Sequence, residues 1–174
     1  MPFFLIIALL IAMFLLITFY FYRYNKKKAQ EQNEKKSLSS RVEKLKRRFK
    51  ASLKPLTQSG CLSQKESDAL YRIANYYFVY QTMTPENVAH YEQLNSDLLN
   101  VIEVDVLASL SRDEDAAEFT HNVLMSLVQS LPPRVDGYTA GFYRNDLPVL
   151  TQRLKDSFSN SADESASHEQ MLTE

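Results

Sequence analysis

The chain begins with an uninterrupted apolar run at residues 3–22, FFLIIALLIAMFLLITFYFY. A helix of this length extends about 30 Å, which matches the thickness of the hydrocarbon core of a bilayer. A cleaved signal peptide would instead have a basic segment before a shorter apolar run and small residues before its cleavage site. The run has none of these features, so we predict that residues 1–24 form a single transmembrane helix that is retained as an anchor.

The residues that end this run predict the orientation of the anchor. Tyrosine rings favour the headgroup layer, and Lys and Arg residues close to a span remain in the cytoplasm. We therefore expect a single-pass protein of the inner or plasma membrane, with its N-terminus outside and its C-terminal domain in the cytoplasm. The predicted membrane-interface residues are Tyr20, Tyr22, Arg23, Tyr24, Lys26, Lys27 and Lys28.

Charge is divided unevenly along the chain, although the formal net charge is only −1. Residues 23–54 contain 13 Lys and Arg residues against three Glu, whereas residues 55–174 contain seven Lys and Arg against 18 Asp and Glu. We predict that residues 25–55 form a basic juxtamembrane helix or stalk, because apolar residues recur there at helical spacing and Pro55 would end the helix. The apolar residues of this stripe are Leu38, Val42, Leu45, Phe49 and Leu53.

The sequence permits three interpretations of the basic segment. It is a solvated stalk whose charges follow the topology rule, a helix that lies on anionic lipid, or a short coiled-coil seam that joins two copies of the chain in a homo-oligomer. Nucleic acid is not expected as a partner, because the segment has one aromatic residue, Phe49, and no recognition motif.

Residues 56–158 predict a small cytoplasmic helical bundle, and the chain as a whole is expected to be all-α. Ser63 starts an S-x-x-E capping box, and Thr84 stands before a proline at the first position of the next helix. That second helix is expected to run to about residue 110. Within it, residues 101–107 alternate as a strand would, but no partner strand is visible nearby, so a helix is predicted.

Further capping signals divide the rest of the bundle. Ser111 starts another S-x-x-E capping box and predicts a helix over residues 112–131. Asp146 is expected to cap the last helix. Residues 159–174 are polar, rich in serine and acidic, so this tail is predicted to be disordered.

Catalytic, metal and cofactor chemistry has little basis in the composition, which includes only three His, one Cys and three Gly residues. Phosphate-binding loops need several glycines at fixed spacing, and di-iron bundles need two Glu-x-x-His pairs, of which only Glu118–His121 is present. We therefore predict no catalytic, metal-binding or cofactor-binding residue, and we do not expect an enzyme. The alternative is a membrane-bound enzyme or lipid-handling domain with a pocket around His90 and His121.

Aromatic residues are the most unusual feature of the predicted bundle. Tyrosines spaced by one, three and four positions cover more than one face of a helix, so some of them should remain near the surface. We therefore predict a protein-docking or assembly module for an unidentified protein partner. The candidate partner surface is Tyr71, Tyr76, Tyr80, Tyr138, Phe142 and Tyr143. For the aromatic residues of the loop at 132–148, packing back onto the helices is the favoured alternative.

Overall fold

The computed structural model describes the backbone of residues 2–110 and 114–171 and the side chains of residues 13–110 and 116–160. All regular structure in these residues is helical, which confirms the predicted all-α class and the helical bundle. The α-helices are α1 (Pro2–Gln58), α2 (Gln64–Tyr76), α3 (Pro85–Asn100), α4 (Leu107–Ser109), α5 (Glu114–Ser130) and α6 (Leu147–Met171). Short 3-10 helices lie at Tyr77–Val79 and Val135–Gly137, and π-helical segments lie at Val101–Val106 and Phe142–Asp146.

The chain divides into two compact units, Met1–Ser40 and Arg41–Glu174. In the first unit, the large apolar side chains of residues 13–24 are exposed. Among the described residues, no helix is long and apolar enough to cross a membrane. The side chains of residues 3–12, half of the predicted span, lie outside that description, so the anchor remains a prediction.

The second unit includes the C-terminal part of α1, and this part contributes to the core of the unit. Val42, Leu45, Phe49 and Leu53 are all buried. An apolar stripe that is covered within its own bundle is not available as a coiled-coil seam or as a face that inserts into lipid. The apolar side of this segment belongs to the bundle, whereas anionic lipid and a second copy of the chain as partners of the basic segment stay predictions.

Two predicted helix starts are confirmed by their hydrogen bonds. The backbone N–H of Glu66 donates to the Ser63 hydroxyl, and the Ser63 N–H donates to the Glu66 carboxylate at 2.6 Å, which completes the capping box of α2. The hydroxyl of Thr84 accepts a hydrogen bond from the Asn87 N–H at 3.2 Å at the start of α3. The capping box predicted at Ser111 lies outside the described residues.

The end of the first helix differs from the prediction. Pro55 lies inside α1, which ends at Gln58 and is followed by a turn at Gly60, whose φ of 76° favours glycine. The Ser59 N–H donates to the Pro55 carbonyl at 2.9 Å, so the helical pattern passes through the proline. We attribute this to the next residue, Leu56, which is fully buried and is held in the core only if the helix continues.

The start of the last helix also differs from the prediction. Asp146 is not a cap, because it lies within the π-helical segment, and Thr139 takes that role by accepting a hydrogen bond from the Phe142 N–H at 3.2 Å. The π segment precedes Pro148, whose missing N–H and bulky ring disfavour an ordinary α-helical turn at that point. Accordingly, the Leu147 N–H donates to the carbonyl of Phe142, five residues earlier.

The backbone of α6 remains helical to Met171, while the disorder predicted for residues 159–174 is not tested and stays a prediction. The segment after Phe158 contains no proline or glycine that would end the helix. Residues 172–174 lie outside the described residues. The segment for which a strand was considered is likewise helical, and it forms the π-helical stretch Val101–Val106.

Candidate functional site

Several aromatic residues of the bundle form a largely buried cluster around Tyr77. Its ring centroid lies 4.8 Å from that of Tyr143, 5.1 Å from that of Tyr91 and 4.8 Å from that of Phe78. The interplanar angles of 60–67° in these pairs are edge-to-face or tilted, as aromatic pairs prefer. The cluster joins α3, the turn after α2 and the segment before α6.

Two hydroxyl groups of this cluster donate hydrogen bonds to backbone carbonyls near the end of α2. The Tyr143 hydroxyl donates to the Ile73 carbonyl at 2.8 Å, and the Tyr91 hydroxyl donates to the Ala74 carbonyl at 3.0 Å. Burial raises the pKa of both phenols, so both remain protonated donors near neutral pH. These tyrosines therefore hold the bundle together.

The structure separates the candidate partner residues into three groups. Tyr138, Phe142 and Tyr143 are buried, so the favoured alternative of packing describes them and they are removed from the partner surface. Their rings pack on one another and on the cluster, because sequestering large aromatic surface from water is favourable. Tyr71 and Tyr76 are half-buried, and Tyr80 is 56% exposed.

Two neighbours of Tyr80 were missed by the sequence reasoning. Val79 is 51% exposed and Met83 is 39% exposed, in the turn that connects α2 to α3. We call Val79, Tyr80 and Met83 the turn patch. The sequence does contain a pattern that could have predicted this patch, namely an aliphatic residue and a methionine on either side of a tyrosine in the short connection before Thr84.

The residues of the enzymatic alternative are engaged in separate contacts. His90 Nδ1 and the Tyr77 hydroxyl are joined by a 2.8 Å hydrogen bond, whereas His121 Nδ1 donates to the Cys61 carbonyl at 2.8 Å. Burial raises the pKa of the Cys61 thiol, which opposes formation of a nucleophilic thiolate. In the described part of the chain, no three His, Cys, Asp or Glu side chains are grouped to hold a metal ion.

Part of the basic charge on α1 is neutralised within the second unit. Arg41 pairs with Glu92 through two hydrogen bonds, one of them 2.8 Å between Nε and Oε1. Arg48 pairs with Glu103 in the same two-pronged way, and the Ser52 hydroxyl also donates to Glu103 at 2.5 Å. The hydrogen bond from Arg48 is the main reason that the pKa of Glu103 lies below its usual value.

A second set of cations on α1 faces solvent. Lys44, Arg47, Lys50 and Lys54 are exposed, and none of them forms a salt bridge with a described residue. Their spacings of three, three and four residues align them along one side of the helix, away from the buried stripe. We call these four residues the cationic row.

A groove of about 310 Å³ lies between α5 and α6. Its apolar lining includes Phe119, Val123 and Leu154, and serines and Arg153 line its edges. This volume is at the lower limit for small-molecule sites. The groove contains no grouped titratable residues, so it carries no catalytic assignment.

Comparison with protein-family models, curated proteins and solved structures found no match for this chain. The function is therefore inferred from the chemistry of the chain's own residues.

Proposed function

We propose that this is a single-pass membrane-anchored protein whose cytoplasmic helical domain is a protein-docking or assembly module. The observation that carries the docking role is the turn patch. Three large apolar side chains lie exposed within five residues of each other, whereas exposed apolar residues such as Val149 occur singly elsewhere in the described part of the bundle. Contiguous exposed apolar surface is typical of interaction sites, and tyrosine is enriched among the residues that dominate binding.

The anchor is supported by the first unit. Residues 13–22 continue the apolar run of residues 3–12, and their exposed side chains lie on all sides of the helix. A helix that is apolar on every side requires a nonpolar environment. The exposed Tyr20, Tyr22, Arg23 and Tyr24, followed by three lysines, are suited to the cytoplasmic headgroup layer.

The location is tested with reporters fused after Glu174. We expect a green fluorescent protein fusion to be fluorescent and an alkaline phosphatase fusion to be inactive, because only the phosphatase requires export. A matched chain without residues 3–22 should leave the membrane fraction after an alkaline carbonate wash. An active phosphatase fusion would reverse the proposed orientation.

The docking role is tested by photocrosslinking in the native membrane. A photoreactive amino acid replaces Tyr80 in one variant and Val149, which is 50% exposed, in a matched control. We expect a discrete crosslinked protein from position 80 and none from position 149, and we expect the polar changes Val79→Ser and Met83→Ser to abolish the product. If both positions capture the same products, or if the polar changes have no effect, the turn patch is not a docking site.

A further inference from the structure

We propose that the cationic row, Lys44, Arg47, Lys50 and Lys54, is a second docking surface and that it binds an acidic helical segment of a protein partner. The inference rests on the proposed docking function in one respect, namely that the partner is a protein. It uses a surface separate from the turn patch, and its test is independent of that patch.

Paired and unpaired cations lie on different sides of α1. Arg41 and Arg48 lie on the flank of α1 that meets acidic residues of the bundle, and each forms a two-pronged ion pair there. The row lies on the outward side and has no acidic partner among the described residues. The bundle therefore leaves the four cations of the row without a salt bridge to a described residue; the neighbouring acid on the same helix, Glu43, pairs with Lys46 instead, at 3.5 Å.

The row has the length of a short helix. From Lys44 to Lys54 there are eleven positions, which extend about 15 Å along the helix. Intervals of three and four residues are also those at which carboxylates align along an acidic helix, so two such helices can place opposite charges side by side. At 3.6 residues per turn, the four side chains fall within about 120° of the helix circumference, so the row is a strip along one side of α1. A narrow strip fits a linear partner better than a broad surface.

Two competing anions, a lipid surface and a nucleic acid, fit the row less well. The row begins 20 residues after Tyr24, at the far limit of the range in which charges beside a span follow the topology rule. The rest of the bundle is acidic, with 18 Asp and Glu against seven Lys and Arg over residues 55–174, and it would repel an extended anionic membrane or a nucleic-acid duplex. A short acidic helix that contacts only the row meets the least repulsion.

The experiment uses the full chain in phosphatidylcholine nanodiscs and measures fluorescence anisotropy of a labelled 15-residue alanine-based peptide with glutamates three and four residues apart. The row variant is K44Q/R47Q/K50Q/K54Q. The matched control, K65Q/R134Q/R153Q/K155Q, removes the same charge from four other exposed positions. A charge-keeping variant, K44R/K50R/K54R, shows whether charge alone is required.

We expect saturable binding of the peptide near 50 mM salt, with at least about a tenfold weaker Kd for the row variant and less than about a twofold change for the control. The charge-keeping variant should bind as the unaltered chain does, and a peptide with Gln in place of Glu should not bind. Equal weakening in the row variant and the control would overturn the proposal. So would row-dependent binding of a 15-base-pair DNA duplex or of phosphatidylserine vesicles in the absence of peptide binding.

Failure of this proposal and failure of the turn patch are distinguishable. Replacing Val79 and Met83 by serine should leave peptide binding unchanged, because neither residue belongs to the row. If those changes remove peptide binding, the peptide is reporting on the turn patch and the row is not its site.

Discussion

The hydrogen bond from Tyr143 to the end of α2 makes a prediction about stability. The last four carbonyl groups of a helix have no N–H partner within the helix. The Ile73 and Ala74 carbonyls, near the end of α2, receive bonds from the hydroxyls of Tyr143 and Tyr91. Tyr143→Phe removes one of these bonds and retains the aromatic ring.

The expected magnitude follows from burial. Tyr143 and Ile73 are both fully buried, so water cannot replace the lost donor. A typical hydrogen bond contributes about 1 kcal/mol net, and a buried acceptor left unpaired costs about 1–3 kcal/mol. Because the ring contact with Tyr77 remains, no cavity term is added. We expect the free energy of unfolding to fall by about 1–2 kcal/mol, which shifts a urea midpoint by about 0.5–1 M if the denaturant slope is near 2 kcal/mol/M.

The assay is urea unfolding of the full chain in neutral detergent micelles, followed by far-UV circular dichroism. Tyr80→Phe is the matched control. It also removes a tyrosine hydroxyl, but Tyr80 is exposed, so no buried acceptor loses its donor. Its effect should remain within about 0.5 kcal/mol. If the two variants have the same midpoint, the Tyr143 hydroxyl does not stabilise the end of α2.

Three other predictions concern pH and buried polar groups. Burial raises the pKa of Tyr138 to about 12 in the folded chain. The folded state therefore favours the protonated phenol, and this contribution to stability is complete below the unfolded pKa near 10 and is lost as the pH rises towards 12. Urea midpoints should fall over that range, and they should fall less in Tyr138→Phe. Glu103→Gln should lower stability by about 0.5 kcal/mol at pH 7, because the ion pair with Arg48 is partly exposed. Since the pKa of Glu103 is lowered on folding, that cost should disappear as the carboxyl is protonated on acidification, and a cost that persisted in acid would contradict the assignment. Asn95 is fully buried and its Oδ1 has no partner in the described structure, so Asn95→Leu should leave stability unchanged or raise it by up to about 1 kcal/mol; a clear loss in thermal unfolding would mean that this oxygen is satisfied.

The structure also decides features that the sequence pattern left open or predicted differently. The loop aromatics Tyr138 and Phe142 were candidates for a partner surface, and they are buried. Asp146 has the side chain of a helix cap, yet Thr139 caps the segment that leads into α6. For the aromatic residues, packing against elements distant in sequence decided between the two environments, whereas for Asp146 the π-helical segment before Pro148 did.

Local interactions explain what could be determined from the sequence by itself. The all-α class and the starts of α2 and α3 depend on helical periodicity and on capping bonds between residues three positions apart, such as Ser63 with Glu66. Such bonds are specified by neighbours along the chain, so the pattern suffices to predict them.

Only the tertiary structure decided which charges of the basic helix are neutralised and which remain free. Arg48 meets Glu103 across 55 positions of sequence, and Arg41 meets Glu92 across 51. The apolar stripe of the basic segment indicates which side of the helix is covered, but not which cations meet an acidic residue of the bundle. The cationic row therefore became visible only when the ion pairs of Arg41 and Arg48 were known.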